Sequence, residues 1–313
     1  MTLSYSAFGL QLRSEFPLAG MTERNHRHGG SPLALELITR AALMERWSGD
    51  ERTARWRGQL GDGSELSLAR GPDADLLFVH ADRACFHLDR AASRLRCAPQ
   101  KHDGEWQRTL LGRVLPNVRC AHGYEALHAS AVVSSQGVVA IAGRSGSGKT
   151  TLALELIRRG MRLLCDDVLV LSTEPAGVVG HPATPHMNVD ERATVAIEHR
   201  ELARFATERW IEIARCAEEP GPLGAICLLE RSHDVSVSVA QLPATPVVLA
   251  PFMLGLPDED RERERERFAL YGGLAHQARL LRVCAGVDAP VEDLADALEG
   301  ALAADRIATP SAA

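Results

Sequence analysis

The sequence predicts an α/β fold over residues 119–310, preceded by a mostly β or α+β domain over residues 1–118. Three observations predict the α/β part. The apolar, β-branched run Val138–Ala142 is typical of a strand that is covered on both faces. A glycine-rich segment, Gly143-Arg-Ser-Gly-Ser-Gly-Lys-Thr150, follows it directly, and residues 150–159 then repeat apolar side chains at helical spacing before a glycine. A strand, a glycine loop and a helix in this order are typical of an α/β unit.

Residues 1–118 contain short segments that predict strands and carry no catalytic signature. Ser4–Leu12, Leu76–His80 and Ala84–Leu88 have the composition and spacing of β-strands. Leu33–Trp47 has apolar residues at the spacing of a helix and is predicted as one. Because this part lacks a catalytic motif, we expect it to recognise a substrate or a partner protein.

The glycine-rich segment matches the complete phosphate-binding pattern G-x-x-x-x-G-K-S/T. Lys149 in this pattern is one of two lysines in a chain that has 33 arginines, and a phosphate loop has room for a compact ammonium but not for a planar guanidinium. The N-terminus of the following helix adds its dipole and its free N–H groups. The residues expected to bind the nucleotide are Gly143, Ser145, Gly146, Ser147, Gly148, Lys149, Thr150 and Thr151. The motif therefore predicts binding of a nucleoside triphosphate.

Two adjacent carboxylates, Asp166 and Asp167, lie in the run Gly160–Leu171, which otherwise predicts one strand beside the loop strand. Burial of unpaired acids is costly, so their presence implies that a cation or a proton is held there. One acid can hold Mg²⁺ together with Thr150, and one can take the proton of an attacking hydroxyl. Adjacent strand residues point to opposite faces, so at most one acid reaches the phosphates unless the strand ends or bulges at this point.

Four segments, at their spacing, resemble the catalytic core of the HPr serine kinase/phosphorylase family. They are His128-Ala-Ser130, the glycine-rich segment, the helix end Leu154–Gly160 and Leu163-Leu-Cys-Asp-Asp167. A weaker resemblance continues through Pro182–Val189 and Gly221–Arg231. Taken alone, a histidine that leads a strand is more often structural than catalytic. The whole chain, including Tyr5–Ser14, resembles the HPr-kinase-related proteins of peptide-natural-product clusters, some of which are HPr-kinase-like tailoring kinases of lasso-peptide biosynthesis.

The resemblance implies a core like that of phosphoenolpyruvate carboxykinase, with ATP and Mg²⁺ as cofactors. It implies that Asp166 activates a serine hydroxyl with help from His128, that Asp167 and Thr150 hold the metal, and that Lys149 neutralises the transferred phosphoryl group. The acceptor it implies is a serine of a peptide or protein, including the C-terminal serine of a lasso precursor peptide, and the relatives imply a homo-oligomer. A copy of the long second signature of bifunctional members is not found, which argues against dephosphorylation and against HPr as the substrate.

Composition narrows the partners and the compartment. A formal charge of −6 argues against broad nucleic-acid binding. Seven scattered cysteines without a C-x-x-C pair indicate reduced core residues of a cytoplasmic protein. The sequence shows neither a secretory signal nor a long uninterrupted apolar segment, so no membrane contact is expected. The low-complexity run Arg261–Arg267 predicts a solvated helix start.

Three functions remain open on the sequence. The first is a serine kinase acting on a peptide or protein, which the loop, the acids and the histidine all suit. The second is a kinase for a small metabolite, since the same loop serves both substrate classes. The third is a nucleotide-binding regulator without transfer chemistry. A closed pocket would favour a metabolite, and an open groove would favour a peptide.

Overall fold

A computed structural model of the chain describes residues 2–24, 32–47, 54–59, 63–101, 104–232, 236–243, 245–254 and 261–304. Within these ranges the fold is mixed α/β and contains more strand than helix. Residues 305–310 of the second predicted domain lie outside the described ranges.

The first sheet has eight strands, all from residues before 100. They are β1 Leu3–Ala7, β2 Leu10–Ser14, β3 Leu33–Leu37, β4 Ala54–Gln59, β5 Glu65–Arg70, β6 Leu76–His80, β7 Ala84–Leu88 and β8 Arg94–Pro99, with a short helix, α1 Arg40–Met44, after β3. The sheet order is β1-β2-β3-β8-β7-β6-β5-β4. The predicted strands Leu76–His80 and Ala84–Leu88 are confirmed at both ends, and Ser4–Leu12 is divided by a turn at Phe8–Gly9.

The predicted helix over Leu33–Trp47 is wrong in its first half. Leu33 and Leu35 are buried while their neighbours are partly exposed, which is the alternation of a strand. This strand pairs in parallel with β2 and β8, and these hydrogen bonds override a weak helical pattern. The helix begins only after Thr39, whose side chain accepts a hydrogen bond from the Ala42 N–H and caps it.

A helical segment connects the two main sheets. It consists of α2 Glu105–Thr109, a π-helical turn Leu110–Val114 and α3 Leu115–Ala121. Pro116 has no N–H for the carbonyl of Gly112, and the Leu115 N–H instead bonds the Leu110 carbonyl, five residues back. The predicted domain boundary at residue 118 falls inside α3, and the division into two domains stays a prediction.

The second sheet has nine strands and surrounds the glycine-rich loop. They are β9 Glu125–Ser134, β10 Gly137–Gly143, β11 Arg162–Cys165, β12 Val168–Glu174, β13 Gly177–His181, β17 Gly221–Ser232, β18 Ser238–Gln241, β19 Met253–Leu254 and β20 Arg279–Gly286. A three-stranded sheet is formed by β14 His186–Asp190, β15 His199–Arg204 and β16 Glu208–Ile213. The helices are α4 Lys149–Arg158, α5 Arg261–Gln277 and α6 Val291–Ala304, and Pro246–Phe252 forms a 3₁₀ segment.

The pairing of these strands determines where the loop lies. The main path runs β10-β9-β12-β13-β17-β20-β18, and β10 also pairs in parallel with β17, so the first five strands close into a ring. The predicted single strand Gly160–Leu171 is wrong in two respects. It is split into β11 and β12, and both pieces pair with β9 instead of with the loop strand β10. The acidic pair lies at the split.

Both faces of the loop strand are buried, which explains its nearly continuous apolar sequence. Val139 and Ile141 belong to a hydrophobic cluster that includes residues of α4 and α6. Val138 and Ala140 belong to a cluster on the other face, which includes residues of α5. A third cluster extends from the first sheet and the connecting helices to Ala126, Val168 and Val170 of the second sheet. The two sheets therefore share a hydrophobic core.

The charged run at the start of α5 is helical as predicted, but part of it is not solvated. Arg263 and Arg267 converge on Glu125, which is 1% exposed, at N–O distances of 2.5 and 2.9 Å. We expect Glu125→Ala to lower the free energy of unfolding by about 3 kcal/mol, because it leaves two partly buried guanidinium groups without this partner. Glu266→Ala, which removes an exposed partner of Arg263, should cost under about 1 kcal/mol. Chemical denaturation of both variants checks this, and equal losses would contradict it.

Candidate functional site

The glycine-rich segment lies between a buried strand and a helix, as its motif requires. Strand β10 ends at Gly143 and α4 begins at Lys149. Gly146 and Gly148 have φ angles of +77° and +96°, which residues other than glycine rarely adopt. No side chain caps the N-terminus of α4. The first N–H groups of this helix therefore have no capping side chain among the described residues, which fits an anionic ligand.

Lys149 is folded back onto the loop that carries it. Its side chain is 6% exposed, and Nζ donates to the carbonyl oxygens of Gly143 at 3.1 Å and Arg144 at 3.3 Å. Burial lowers the pKa of this amine, and the charges of Asp167 and Asp166 oppose the shift. The ammonium thus lies between the loop and the acidic pair, where it can exchange loop carbonyls for phosphate oxygens.

Arg231, at the end of β17, stabilises the loop by hydrogen bonds to backbone carbonyl oxygens. Its Nε donates to the Ser147 carbonyl at 2.8 Å, and its Nη1 donates to the Gly286 carbonyl at 2.9 Å. A Cβ atom at Gly148 would come within 2.6 Å of Arg231 Nη2. The glycine at position 148 is therefore needed both for its φ angle and for the close approach of this guanidinium.

The two acids occupy the break between β11 and β12, and both line the same cleft. Asp167 has a φ angle of +65°, a left-handed conformation that ends the strand alternation. This conformation resolves the difficulty that neighbouring strand residues point to opposite faces. Its Oδ2 accepts a hydrogen bond from Arg113 Nη2 at 3.2 Å.

Asp166 is held by three donors from three different segments. Its Oδ1 accepts from Ser130 Oγ at 2.7 Å and from Thr150 Oγ1 at 3.1 Å, and its Oδ2 accepts from the Asn188 N–H at 2.9 Å. Burial, reinforced by the negative charge of Asp167, raises the pKa of Asp166 to about 7. The carboxyl is thereby fixed in orientation and suited to exchange a proton near neutral pH.

His128 lies on β9 opposite Val168, the first residue after the acids. Its ring is partly exposed and makes no hydrogen bond to any residue that the structure describes. Burial lowers its pKa, and the positive charges of Lys149 and Arg113 lower it further, while Asp167 opposes them. Burial and the two positive charges therefore favour the neutral imidazole.

A cleft opens in front of the acidic pair. One wall comes from the connecting helices, including Arg108 and Arg113, and another comes from β14 and β16, including Asn188 and Trp210. Arg108 Nε donates to Asn188 Oδ1 at 2.8 Å, and Arg108 also pairs with Glu208. The cleft therefore joins the part of the chain before residue 118 to the acids through polar contacts.

The structure brings most of the predicted site residues together. Thr150 contacts Asp166 and not Asp167, although Thr150 and Asp167 are the predicted metal ligands. Ser145, Gly146 and Thr151 are exposed on the loop and the first turn of α4, whereas Ser147 is buried.

Four residues of this region were not predicted as part of the site. Ser130 and Arg231 lie within segments that carry the family resemblance, so the sequence contained a signal for them. Asn188 lies within Pro182–Val189, where the resemblance is weaker, whereas Arg113 is placed by the connecting helices and no local pattern marks it.

The residues fit a magnesium ion that is shared with phosphate oxygens. The described ranges contain no cluster of three or more His, Cys, Asp or Glu side chains that could hold a metal. Mg²⁺ needs only one or two protein ligands when phosphates and water supply the rest. Because Thr150 Oγ1 donates its hydrogen to Asp166, its lone pairs remain available for a cation, and Asp167 is partly exposed nearby.

No helix in the described part of the chain is both long enough and apolar enough to cross a membrane. No protein-family model matches the chain, and no curated protein matches it. Among solved structures it is similar to the Hpr(Ser) kinase/phosphatase from Coxiella burnetii, at 15% sequence identity and a TM-score of 0.33, over 58% of this chain and 97% of that chain.

Proposed function

We propose that the chain is an ATP- and Mg²⁺-dependent kinase that transfers the γ-phosphoryl group to a serine hydroxyl of a peptide or protein. The observation that carries this proposal is the hydrogen bond from Thr150 Oγ1 to Asp166 Oδ1 at 3.1 Å. It joins the first turn after a complete phosphate-binding motif to a buried carboxyl. A phosphate on the loop and a hydroxyl on this carboxyl would lie side by side.

The loop residues in this proposal bind and orient the triphosphate. The N–H groups from Ser145 to Thr150 and the ammonium of Lys149 surround the phosphates, and Arg231 keeps the loop in place from behind. Thr150 and Asp167 would hold Mg²⁺, which when bound neutralises charge on the phosphate oxygens.

Asp166 acts as the general base. Its Oδ2 accepts one hydrogen bond, from Asn188, and so retains a lone pair for the proton of an acceptor hydroxyl. Ser130 and Thr150 keep its other oxygen occupied, which fixes the direction in which the free lone pair points. His128, close to the charges of Lys149 and Asp167, assists in the proton transfer.

The finer assignments rest on the sequence resemblance. They are the C-terminal serine of a lasso precursor peptide as acceptor and a homo-oligomer. Acceptor recognition by residues 1–118 is proposed because that part of the chain carries no catalytic motif. A small-metabolite kinase is the second candidate, because the same phosphate-binding loop serves both substrate classes.

Intact-mass spectrometry tests the proposal directly. Peptides ending in serine, and matched peptides ending in alanine, are incubated with the protein, Mg²⁺ and ATP. We expect the serine peptides to gain one phosphoryl group and the alanine peptides to gain none. If ATP binds but no peptide is modified, the peptide-kinase proposal fails, and ADP release with a panel of small hydroxyl compounds then separates a metabolite kinase from a regulator.

A further inference from the structure

Arg113 places a second positive charge, in addition to that of Lys149, beside the acidic pair. No sequence motif predicts this residue as part of the site. Its Nη2 lies 3.2 Å from Asp167 Oδ2, and its side chain is 29% exposed. No other side-chain partner of this guanidinium is present in the part of the chain that the structure describes. Most of its N–H groups are therefore free to contact a ligand.

The charge of Arg113 reaches the other members of the site. Burial is the main cause that lowers the pKa of Lys149 and the pKa of His128, and the charge of Arg113 adds a smaller shift in the same direction. Arg113 also lines the cleft in front of Asp166 and Asp167. Arg113 thus lies beside Asp167 in the cleft that Asp166 also lines.

The backbone around Arg113 supports a functional position. The residue lies in the π-helical turn Leu110–Val114, and π-helical turns are rare and occur frequently at functional sites. Pro116 explains the turn, because it cannot donate to the Gly112 carbonyl. The wider turn changes the direction of the side chains relative to α2 and α3, and one of these side chains reaches the site.

We propose that Arg113 is a further catalytic residue that contacts the transferred phosphoryl group, and that Asp167 holds its guanidinium until a metal ion occupies that carboxylate. The inference rests on the proposed function. The formal charges of Lys149 and Arg113 balance those of Asp166 and Asp167. A bound triphosphate therefore adds negative charge to the site, and the loop lysine neutralises only part of it. A guanidinium released by Asp167 can pair with two phosphoryl oxygens at once.

Arg113 changes no covalent bond in the transfer. The acceptor hydroxyl gives its proton to Asp166, its oxygen forms a bond to the γ-phosphorus, and the bond from that phosphorus to the β–γ bridging oxygen breaks. The electron pair of the broken bond leaves with ADP. The guanidinium stabilises the charge on the three phosphoryl oxygens during this exchange.

Nucleotide binding tests the inference separately from turnover. Isothermal titration with Mg²⁺ compares a non-hydrolysable ATP analogue with ADP for the wild type, Arg113→Ala and Arg113→Lys. We expect Arg113→Ala to weaken binding of the analogue about tenfold and to leave ADP binding nearly unchanged, because only the analogue carries the γ-phosphate. Arg113→Lys should restore part of the affinity, and turnover should fall about 10³-fold in Arg113→Ala.

Arg94→Ala is the matched control, since this exposed arginine pairs with Glu36 on the first sheet, away from the site. Its binding and turnover should equal those of the wild type. The inference would be overturned if Arg113→Ala weakened binding of the ATP analogue and of ADP equally, or weakened binding of neither. Thermal unfolding shows whether Arg113→Ala is misfolded, and in that case the binding constants of Arg113→Lys decide the question. If the wild type transfers phosphate to no acceptor, the proposed function fails while the two binding constants still decide the role of Arg113.

Discussion

Lys149→Ala should reduce kcat/KM for phosphoryl transfer about 10²- to 10³-fold and weaken binding of Mg²⁺–ATP at least about tenfold. The ammonium lies buried against two loop carbonyls, and a nucleotide replaces these with phosphate oxygens. Lys149→Arg should not rescue either quantity, because a guanidinium is too large for this position. Isothermal titration with ATP and a steady-state transfer assay measure the two effects.

Lys101 provides the matched control, because it is the other lysine in the chain. Its side chain is 52% exposed and pairs with Asp82 at 2.8 Å. Lys101→Ala should therefore leave both ATP binding and transfer unchanged. Retention of wild-type ATP affinity in Lys149→Ala would show that the loop does not bind the triphosphate, and the kinase proposal would fail with it.

Asp166→Asn should lower kcat about 10²- to 10⁴-fold while ATP binding is largely retained. The amide cannot take the proton of an acceptor hydroxyl, yet it fills the same space and can still accept hydrogen bonds from Ser130 and Thr150. Single-turnover transfer and ATP titration on the same preparation separate the two quantities. A nucleotide-binding regulator would instead keep its function in this variant.

Asp167→Asn distinguishes the roles of the two neighbouring acids. If Asp167 holds the metal, this variant needs a higher Mg²⁺ concentration for half-maximal activity, whereas Asp166→Asn keeps the magnesium requirement of the wild type. The comparison is needed because Thr150, the other expected metal ligand, donates its hydrogen bond to Asp166. A shifted requirement in Asp166→Asn and not in Asp167→Asn would reverse the proposed assignment.

Local patterns predicted those elements whose side chains alternate or repeat without competition. The strands at Leu76–His80 and Ala84–Leu88 and the helix after the loop agree with the structure to within one residue. The prediction over Leu33–Trp47 was wrong because apolar residues in a short segment suit either period, and parallel pairing with distant strands decided the outcome. The same limit applies to Gly160–Leu171, where the left-handed turn at Asp167 divides a run that looks continuous.

The sequence by itself determined the strand, glycine loop and helix, because spacing, glycine content and burial pattern act over a few neighbouring residues. It also identified the acidic pair as a feature that costs free energy and needs a partner. Tertiary structure alone decided which partners meet these acids: Ser130 and Thr150 on Asp166, and Arg113 on Asp167. Arg113 and Asp167 are separated by 54 residues and meet only through packing of the connecting helices on the second sheet. Contacts of this kind depend on how whole elements share a core, and no short stretch of sequence records them.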